Sequence, residues 1–477
     1  MIKCINVSDL RPGMFIHDLN CDWMSHPFLL KRFLIKDEAE IEKITDSGIH
    51  EVYIDTGKGM DVAHAPTVTE VKRQLEEEIR EFAQHESALV RKVEAAEEFD
   101  RARQIHQEAH QIVRGIMQDV RLGKQVQLER VEPSVARMTE SILRNGGALL
   151  SLCRIKHKDD YTFLHSVSVG ALMVSFCNAM DMDAQTIHEA GIGGMLHDIG
   201  KMKIPDSVLN KPGKLTDQEF AVMKCHVVES KKILSVTEGI TQIAINVAAQ
   251  HHERHDGSGY PLGLKGDQIS QLGQMAAIVD VYDALTSDRC YHKGMAPTDA
   301  LRKIYEWSKF HFNPTLVQAF MRSIGIYPVG TLVKLESGRL GVVIEQNDNN
   351  LIAPKVKVFF STRSNTHIPP EVVDLSRGTG RQRWRQDRAP RIGRKVADRS
   401  AALSVTDFLY SANLGVGRNS SQRHLLLQGA AGFTDSASNP DIKQMIHAGR
   451  GKIYQCSRHP GTRRFQRNQV DRRHLQR

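Results

Sequence analysis

The sequence predicts a mainly α protein: a helical bundle, preceded by a small α+β domain and followed by a small β appendix. Three observations carry that reading. From about residue 134 to 327 the pattern is helix after helix, with few strand-like runs. Alternating segments flank this stretch: KCINVSDLRPGMFI and IHEVYID before it, TLVKLESGRLGVVIEQ and KVKVFF after it. The length of 477 residues leaves room for about three domains at ~150 residues each, and the 40% apolar share is enough to bury their cores.

Residues 1–64 read as the α+β unit. Within them, DEAEIEKITDSG opens on an acid and closes on Ser-Gly, as a short helix does. Residues 65–133 read as an amphipathic helical connector, because Val71, Leu75, Ile79 and Phe82 recur at three- and four-residue spacing among charged residues. Such a stripe packs on its own domain or pairs two copies in a homodimer, and the sequence leaves both open. In the bundle at 134–327, the longest uncharged apolar stretch is SVSVGALMVSFCNAM. It falls short of the ~20 residues of a membrane span and predicts a buried helix. Residues 328–376 form the β appendix, alternating around Ser-Gly and Asn-rich turns. Residues 377–477 lack sustained periodicity and are rich in Arg, Ser, Gln and Gly, the pattern of a disordered tail.

Charge separates the tail from the rest. The whole chain carries +8, but residues 377–477 carry +15 and the first 376 residues −7. The body therefore offers no general case for binding nucleic acid, and only the basic tail is a candidate arm for RNA or anionic lipid. A chain cut after Leu375 is expected to keep its catalytic part. The seven cysteines, at 4, 21, 153, 177, 225, 290 and 456, form no CxxC pair, which points to reduced thiols and a cytoplasmic location. MIKCINVSDL has no long apolar segment of the kind a signal peptide needs.

Metal-capable side chains recur along the bundle. They are His165 in YTFLH, His197 and Asp198 in MLHDIGK, His226 in VMKCH, His251 and His252 in HHERHDGSGYP, and Asp280 in AAIVDVYDAL. The steps between them are 32 (165→197), 28 (198→226), 25 (226→251) and 28 (252→280) residues, as when successive helices each deliver a ligand to one pocket. A lone His or Asp in such a setting is more often structural, and the chain has 22 histidines. The joint pattern carries the weight, because these residues adjoin apolar helix-like sequence where unpaired polar groups are costly. Imidazole and carboxylate together suit Fe, Mn or Zn. Five His and two Asp exceed the needs of one tetrahedral ion, so two divalent metal ions are expected.

With HD in a LLHDIGK-like context, HHE…DGSGYP and VDVYDALTSDR, residues 134–327 resemble the HD-GYP phosphodiesterases, a subclass of the HD metallohydrolases. Residues 1–64 resemble the small domain of unknown function often found before them. The resemblance implies an all-helical HD-type bundle that opens cyclic di-GMP to pGpG and in many members on to GMP, lowering a second messenger that controls biofilm formation and motility. By position it implies metal ligation by His165, His197, Asp198, His226, His251, His252 and Asp280, with Asp198 bridging two ions. It places Lys201, Arg289 and Lys293 against phosphate. RCYHK, with Cys290 and His292 where the family often has Pro and Arg, departs from the pattern without removing a ligand. Some members hold three ions through a Glu one turn before the first ligand histidine. Here that position is Tyr161, and a phenol with pKa ~10 presents no charge to a metal at neutral pH. Two ions are therefore expected.

A phosphodiester is anionic and resists attack by hydroxide. Two metals lower the pKa of water towards ~7 and neutralise phosphate oxygens, while protein groups position and neutralise. Asp283 shares a helical face with Asp280 and is read as orienting a ligand or a water in catalysis, or else as a surface salt bridge. Tyr260 is a candidate stacking partner for guanine, or packs under its loop. Glu253 is read as orienting a histidine or as solvated, Asp256 as capping the turn. Gly257 and Gly259 are read as letting the backbone take crowded conformations. The resemblance also implies that this loop is a protein-contact surface, with a diguanylate cyclase as the candidate partner. Two alternatives stay open: another HD hydrolase with a different nucleotide substrate, and a non-catalytic cyclic di-GMP sensor or docking module.

Overall fold

A computed structural model describes residues 1–21, 32–83, 93–154, 160–211, 213, 215–288, 294–347, 350–377 and 390–391. At the N-terminus, β1 (Ile2–Asn6), β2 (Phe15–Asp18), β3 (Phe33–Leu34) and β4 (Glu51–Asp55) make an antiparallel sheet in the order β1-β4-β2-β3, with α1 (Glu38–Asp46) between β3 and β4. Asp37 starts α1 by accepting the Glu40 N–H at 3.1 Å. The helix gives way at Ser47 to Gly48, whose φ of +70° suits glycine. Leu10, Ile16, Ile44, Val52 and Ile54 form this domain's own core.

The amphipathic stretch folds as α2 (Val68–Ala83) and α3 (Ala95–Arg121), and α3 lies along α4 (Leu128–Cys153). Ile79, Phe82, Ile105, Val113 and Met117 join the same apolar core as the bundle. The stripe that suggested a homodimer is thus covered within one chain. The boundary read at 133/134 falls inside α4, so the end of the connector and the start of the bundle are one helix.

The bundle continues with α5 (Tyr161–Ala179), α6 (Ala184–Leu196), α7 (Asp206–Leu209), α8 (Asp217–Ser235), α9 (Gln242–Gln250), α10 (Gln271–Thr286), α11 (Pro297–Trp307) and α12 (Pro314–Ile324). Among the described residues α5 is the one helix long and apolar enough to cross a membrane. Here it packs against α3, α4, α6, α10 and α12. A helix enclosed on every side must be apolar all round, which accounts for its composition. Thr216 and Glu219 close a capping box at the start of α8, and Thr241 caps α9.

After the bundle come β5 (Leu332–Leu335), β6 (Arg339–Glu345), β7 (Lys355–Ser361) and β8 (Thr366–Asp374), antiparallel and in the order β8-β7-β6-β5. Val333, Leu335, Val343, Val356, Val358 and Val373 fill this sheet's core. Arg154, just past α4, fastens it by donating to the Val329 carbonyl at 3.0 Å and to Thr331 Oγ1 at 3.3 Å. The last strand, β9 (Pro390–Arg391), draws two residues of the basic tail against β5. The rest of 378–477 lies outside the described residues, and with it the reading of that tail as disordered. Because β9 adds only two residue pairs at the sheet edge, a chain ended after Leu375 should unfold at the temperature of the full chain. A lower calorimetric Tm would make the tail structural.

Candidate metal centre

The seven candidate ligands arrive from five places in the bundle. His165 stands near the start of α5, His226 within α8 and Asp280 within α10. His197 ends α6, and Asp198 opens a 3-10 turn, Ile199–Lys203. His251 ends α9, with His252 next. The His-Asp turn reaches α8 because residue 200 is glycine: a Cβ there would lie 2.1 Å from the His226 carbonyl oxygen. The Gly200 N–H donates to Ser230 Oγ at 2.9 Å. Nothing in the sequence singled out Ser230, which serves only once two distant helices meet.

The fold brings all seven together, with the Asp198 carboxylate in the middle. Its Oδ2 lies 3.3 Å from His197 Nε2 and 3.6 Å from His165 Nε2. Its Oδ1 lies 3.4 Å from His226 Nε2 and 3.9 Å from His251 Nε2. Asp280 Oδ1 lies 3.0 Å from His165 Nε2, and its Oδ2 3.8 Å from His252 Nδ1. Three sets of ligand atoms fall within 4.8 Å of one another: His226, His251 and His252; His165, His197 and Asp280; His197, Asp198 and His251.

Hydrogen bonding aims the imidazoles. Nδ1–H of His197 donates to the Gly194 carbonyl at 2.8 Å, that of His226 to Met223 at 2.7 Å, and that of His251 to Ala248 at 2.8 Å. His197 and His251 stand at helix ends, where carbonyls have lost their helical partners. Each Nε2 is thereby left with its lone pair facing inward. The Nε2 atoms of these three and Asp198 Oδ1 are buried without a hydrogen-bond partner. Orphaned acceptors in such a place are what a cation satisfies, so the residues fit a metal centre.

The electrostatics agree. Burial pushes His226 down to about 4 and His251 down to about 3. Burial and the neighbouring His251 hold His252 well below its ordinary value. These rings are neutral at pH 7, as metal ligation requires. For Asp198, burial opposes the charge, but His197 and Lys201 keep its carboxyl well below the usual range. Asp280 behaves likewise against burial, through the hydrogen bond and charge of His165. Burial lowers His197 too, yet Asp198 and Asp280 outweigh it and raise that ring.

Lys201 rests its ammonium on Asp198 Oδ2 at the edge of the cluster. Asp283 is buried, and its Oδ2 takes the His165 Nδ1–H at 2.6 Å, so it is neither a surface salt bridge nor solvated. Tyr161 stacks on the His165 ring with centroids 5.6 Å apart. Tyr260 stacks on His252 at 4.7 Å, with Lys224 Nζ 5.6 Å from its ring centroid. Arg289 and Lys293, with Cys290 and His292, lie outside the described residues.

The loop after the paired histidines corrects one reading. Glu253 is buried and accepts the N–H groups of Leu262 at 2.8 Å and Leu264 at 3.0 Å. It clasps the loop and orients no ligand. Asp256 accepts from Ser258 N at 3.0 Å and Ser258 Oγ at 2.7 Å, closing the turn. Gly257 takes φ +88°. A Cβ at Gly259 would meet the Arg254 nitrogen at 2.3 Å, so the crowding there comes from the loop's own backbone.

Comparison with known proteins gives a consistent result. A family model described as an HD domain matches residues 147–316, and one described as a domain of unknown function matches 2–131, running through α2 and α3. A cyclic di-GMP phosphodiesterase of Pseudomonas aeruginosa is 42% identical over 392 residues, 79% of this chain and 90% of the relative. One of Thermotoga maritima is 39% identical over 168 residues, 35% of this chain and 46% of the relative. A 3'3'-cGAMP-specific phosphodiesterase of Vibrio cholerae is 43% identical over 127 residues, 26% of this chain and 24% of the relative.

The lowered pKa values set a pH dependence. His226 and His251 resist protonation when folded, so unfolding takes up protons once pH falls below their unfolded value of 6.5. Their contribution is complete above 6.5 and is lost on the way down to about 4 and about 3, by up to about 1.4 kcal/mol per group per pH unit. His197, raised, works in the opposite direction and offsets part of this. Urea unfolding of the metal-free protein should therefore show stability falling from pH 6.5 to 4.5, and a flat profile would contradict the buried neutral rings.

Proposed function

The chain belongs to the HD-GYP cyclic di-GMP phosphodiesterases, and from that premise we propose that it hydrolyses cyclic di-GMP at a centre of two divalent ions. One observation carries the proposal: the Asp198 carboxylate stands between two groups of buried imidazoles, and the Nε2 atoms of His197, His226 and His251 have no hydrogen-bond partner.

The roles follow from position. Asp198 would be the carboxylate shared by the ions, since one of its oxygens lies towards His165 and His197 and the other towards His226 and His251. Asp280 and His252 complete the set. Ions held by these residues, Fe or Mn in the first place and Zn in the second, would supply a water of lowered pKa and neutralising charge for the phosphate. Asp283 acts as a positioning residue: its grip on Nδ1 fixes the tautomer of His165 and directs Nε2 inward. Lys201, at the rim, supplies fixed positive charge to a phosphate oxygen, joined by Arg289 and Lys293. Tyr260, stacked on His252, is a candidate contact for a guanine of the substrate. Tyr161, stacked on His165, occupies the position of the acid that serves a third ion, and a phenol brings no charge there at neutral pH. A two-ion site favours pGpG as the product. Leu262, 69% exposed, leaves the loop's rim open to a partner such as a diguanylate cyclase.

The relative named for 3'3'-cGAMP favours a second reading, that another cyclic dinucleotide is the substrate. Incubation of the Mn- or Fe-loaded protein with cyclic di-GMP and 3'3'-cGAMP, followed by product chromatography, decides between them. Faster turnover of 3'3'-cGAMP would replace the first reading. Asp198→Ala should lose bound metal together with nearly all turnover, and normal activity at full metal content would remove its bridging role. Asp283→Ala should lower metal affinity or turnover roughly 10- to 100-fold, the usual effect of losing a group that orients a ligand. Elemental analysis of protein carrying its native metals should count two ions per chain; three would overturn the reading of Tyr161.

A further inference from the structure

The α+β domain meets the bundle at the loop that carries Gly259, Tyr260 and Pro261. His50 Nε2 lies 2.8 Å from Asp256 Oδ2, and the His50 ring stacks on Phe310 with centroids 4.3 Å apart. His311 Nε2–H donates to the Gly48 carbonyl at 3.1 Å and stands 3.9 Å from the same Asp256 oxygen. Gly48 presses on the loop so closely that a Cβ there would fall 2.1 Å from Ser258 Cβ. Asp256 therefore works in two directions. Its Oδ1 shapes the turn through Ser258, and its Oδ2 is held by the neighbouring domain.

The seat of that domain is firm. Glu306 Oε1 accepts Tyr53 Oη–H at 2.6 Å and Asn20 Nδ2–H at 2.9 Å, and Trp307 Nε1–H donates to Asn20 Oδ1 at 3.1 Å, all three bonds buried. A satisfied buried polar network fixes one geometry for the two surfaces it joins. On the other side, the loop folds back on a candidate metal ligand: Tyr260 N–H donates to the His252 carbonyl at 3.0 Å, with its ring stacked on His252. The contacts run without a gap from residues 48–50, through 256–258, to Tyr260 and His252.

We propose that His50 and Asp256 are positioning residues, and that the domain of unknown function is a clamp that holds the loop, and through it Tyr260, in the place where a dinucleotide is received. The kinetic part of this rests on the phosphodiesterase reading; the structural part does not. The clamp sets how a large substrate is gripped and leaves the metal ligands in place, because none of its contacts displaces a ligand atom.

The test uses the full chain with His50→Ala, His50→Gln, which keeps a donor towards Asp256, and Gly48→Ala, which drives a side chain into Ser258. Three quantities are read: amide hydrogen exchange over residues 255–265, metal content, and steady-state kinetics on cyclic di-GMP and on bis(p-nitrophenyl) phosphate, a diester too small to need the loop. His50→Ala and Gly48→Ala should exchange faster across the loop and raise KM for cyclic di-GMP roughly tenfold, short of the ~100-fold that a fully misplaced site costs. Metal content and turnover of the small diester should stay unchanged, and His50→Gln should restore most of the loss. Unchanged exchange with unchanged KM overturns the clamp. Equal losses on both substrates, or loss of metal, also overturn it, by reducing the contact to general stability. If the parent protein leaves cyclic di-GMP intact, the phosphodiesterase reading fails, and the exchange comparison still decides the clamp.

Discussion

Five imidazoles and two carboxylates lie at the centre of a helical bundle, each less than a tenth exposed. Protein groups compensate part of this: Asp283 accepts a hydrogen bond from His165 Nδ1–H, three helical carbonyls accept the Nδ1–H of His197, His226 and His251, and Lys201 meets one oxygen of Asp198. What is left over is concentrated on one side, three Nε2 atoms and one carboxylate oxygen pointing at one another. A packed core does not keep such atoms without a counterpart, because each carries the full cost of desolvation. Divalent cations remove that cost. The architecture around the cluster is arranged to hold these atoms still while leaving them uncommitted.

That requirement explains local choices that look unrelated. Helix α5 is apolar on every face because it supplies His165 from the middle of the bundle. Two ligand histidines sit at helix ends, where the same unpaired carbonyl that terminates the helix also fixes the ring tautomer. Gly200 lets the His-Asp turn lie directly on α8, so that Asp198 reaches His226 and His197 at once. With the first 376 residues at −7, attraction for an anionic phosphodiester has to come from the site itself, not from the surface at large.

The loop after His252 shows how a motif can serve its own fold. Its acids and glycines invite assignment to a ligand. In place, Glu253 binds the loop's backbone, Asp256 divides itself between Ser258 and His50, and Gly259 is confined by Glu253 and Arg254. Tyr260 is then left as the loop's contribution to the cluster, stacked on a candidate ligand. Residues 48–50 cover the Asp256 and Ser258 side, and the loop's rim near Leu262 stays exposed.

The sequence by itself determined the class of fold and the identity of the seven candidate ligands. Both depend on information that is local or periodic: helical repeats for the bundle, and metal-capable residues at similar intervals against apolar surroundings. It also marked the two flanking β regions, since alternation and turn residues are local signals. Tertiary structure decided the rest. The place of Asp198 between two imidazole groups, the pairing of Asp283 with His165 across 118 positions, and the meeting of His50 with Asp256 across 206 positions have no signature in spacing. The covering of the α2–α3 stripe within one chain was undecided in sequence for the same reason. An amphipathic helix specifies that its apolar face must be buried, while the surface that buries it is chosen only when the remote segments pack.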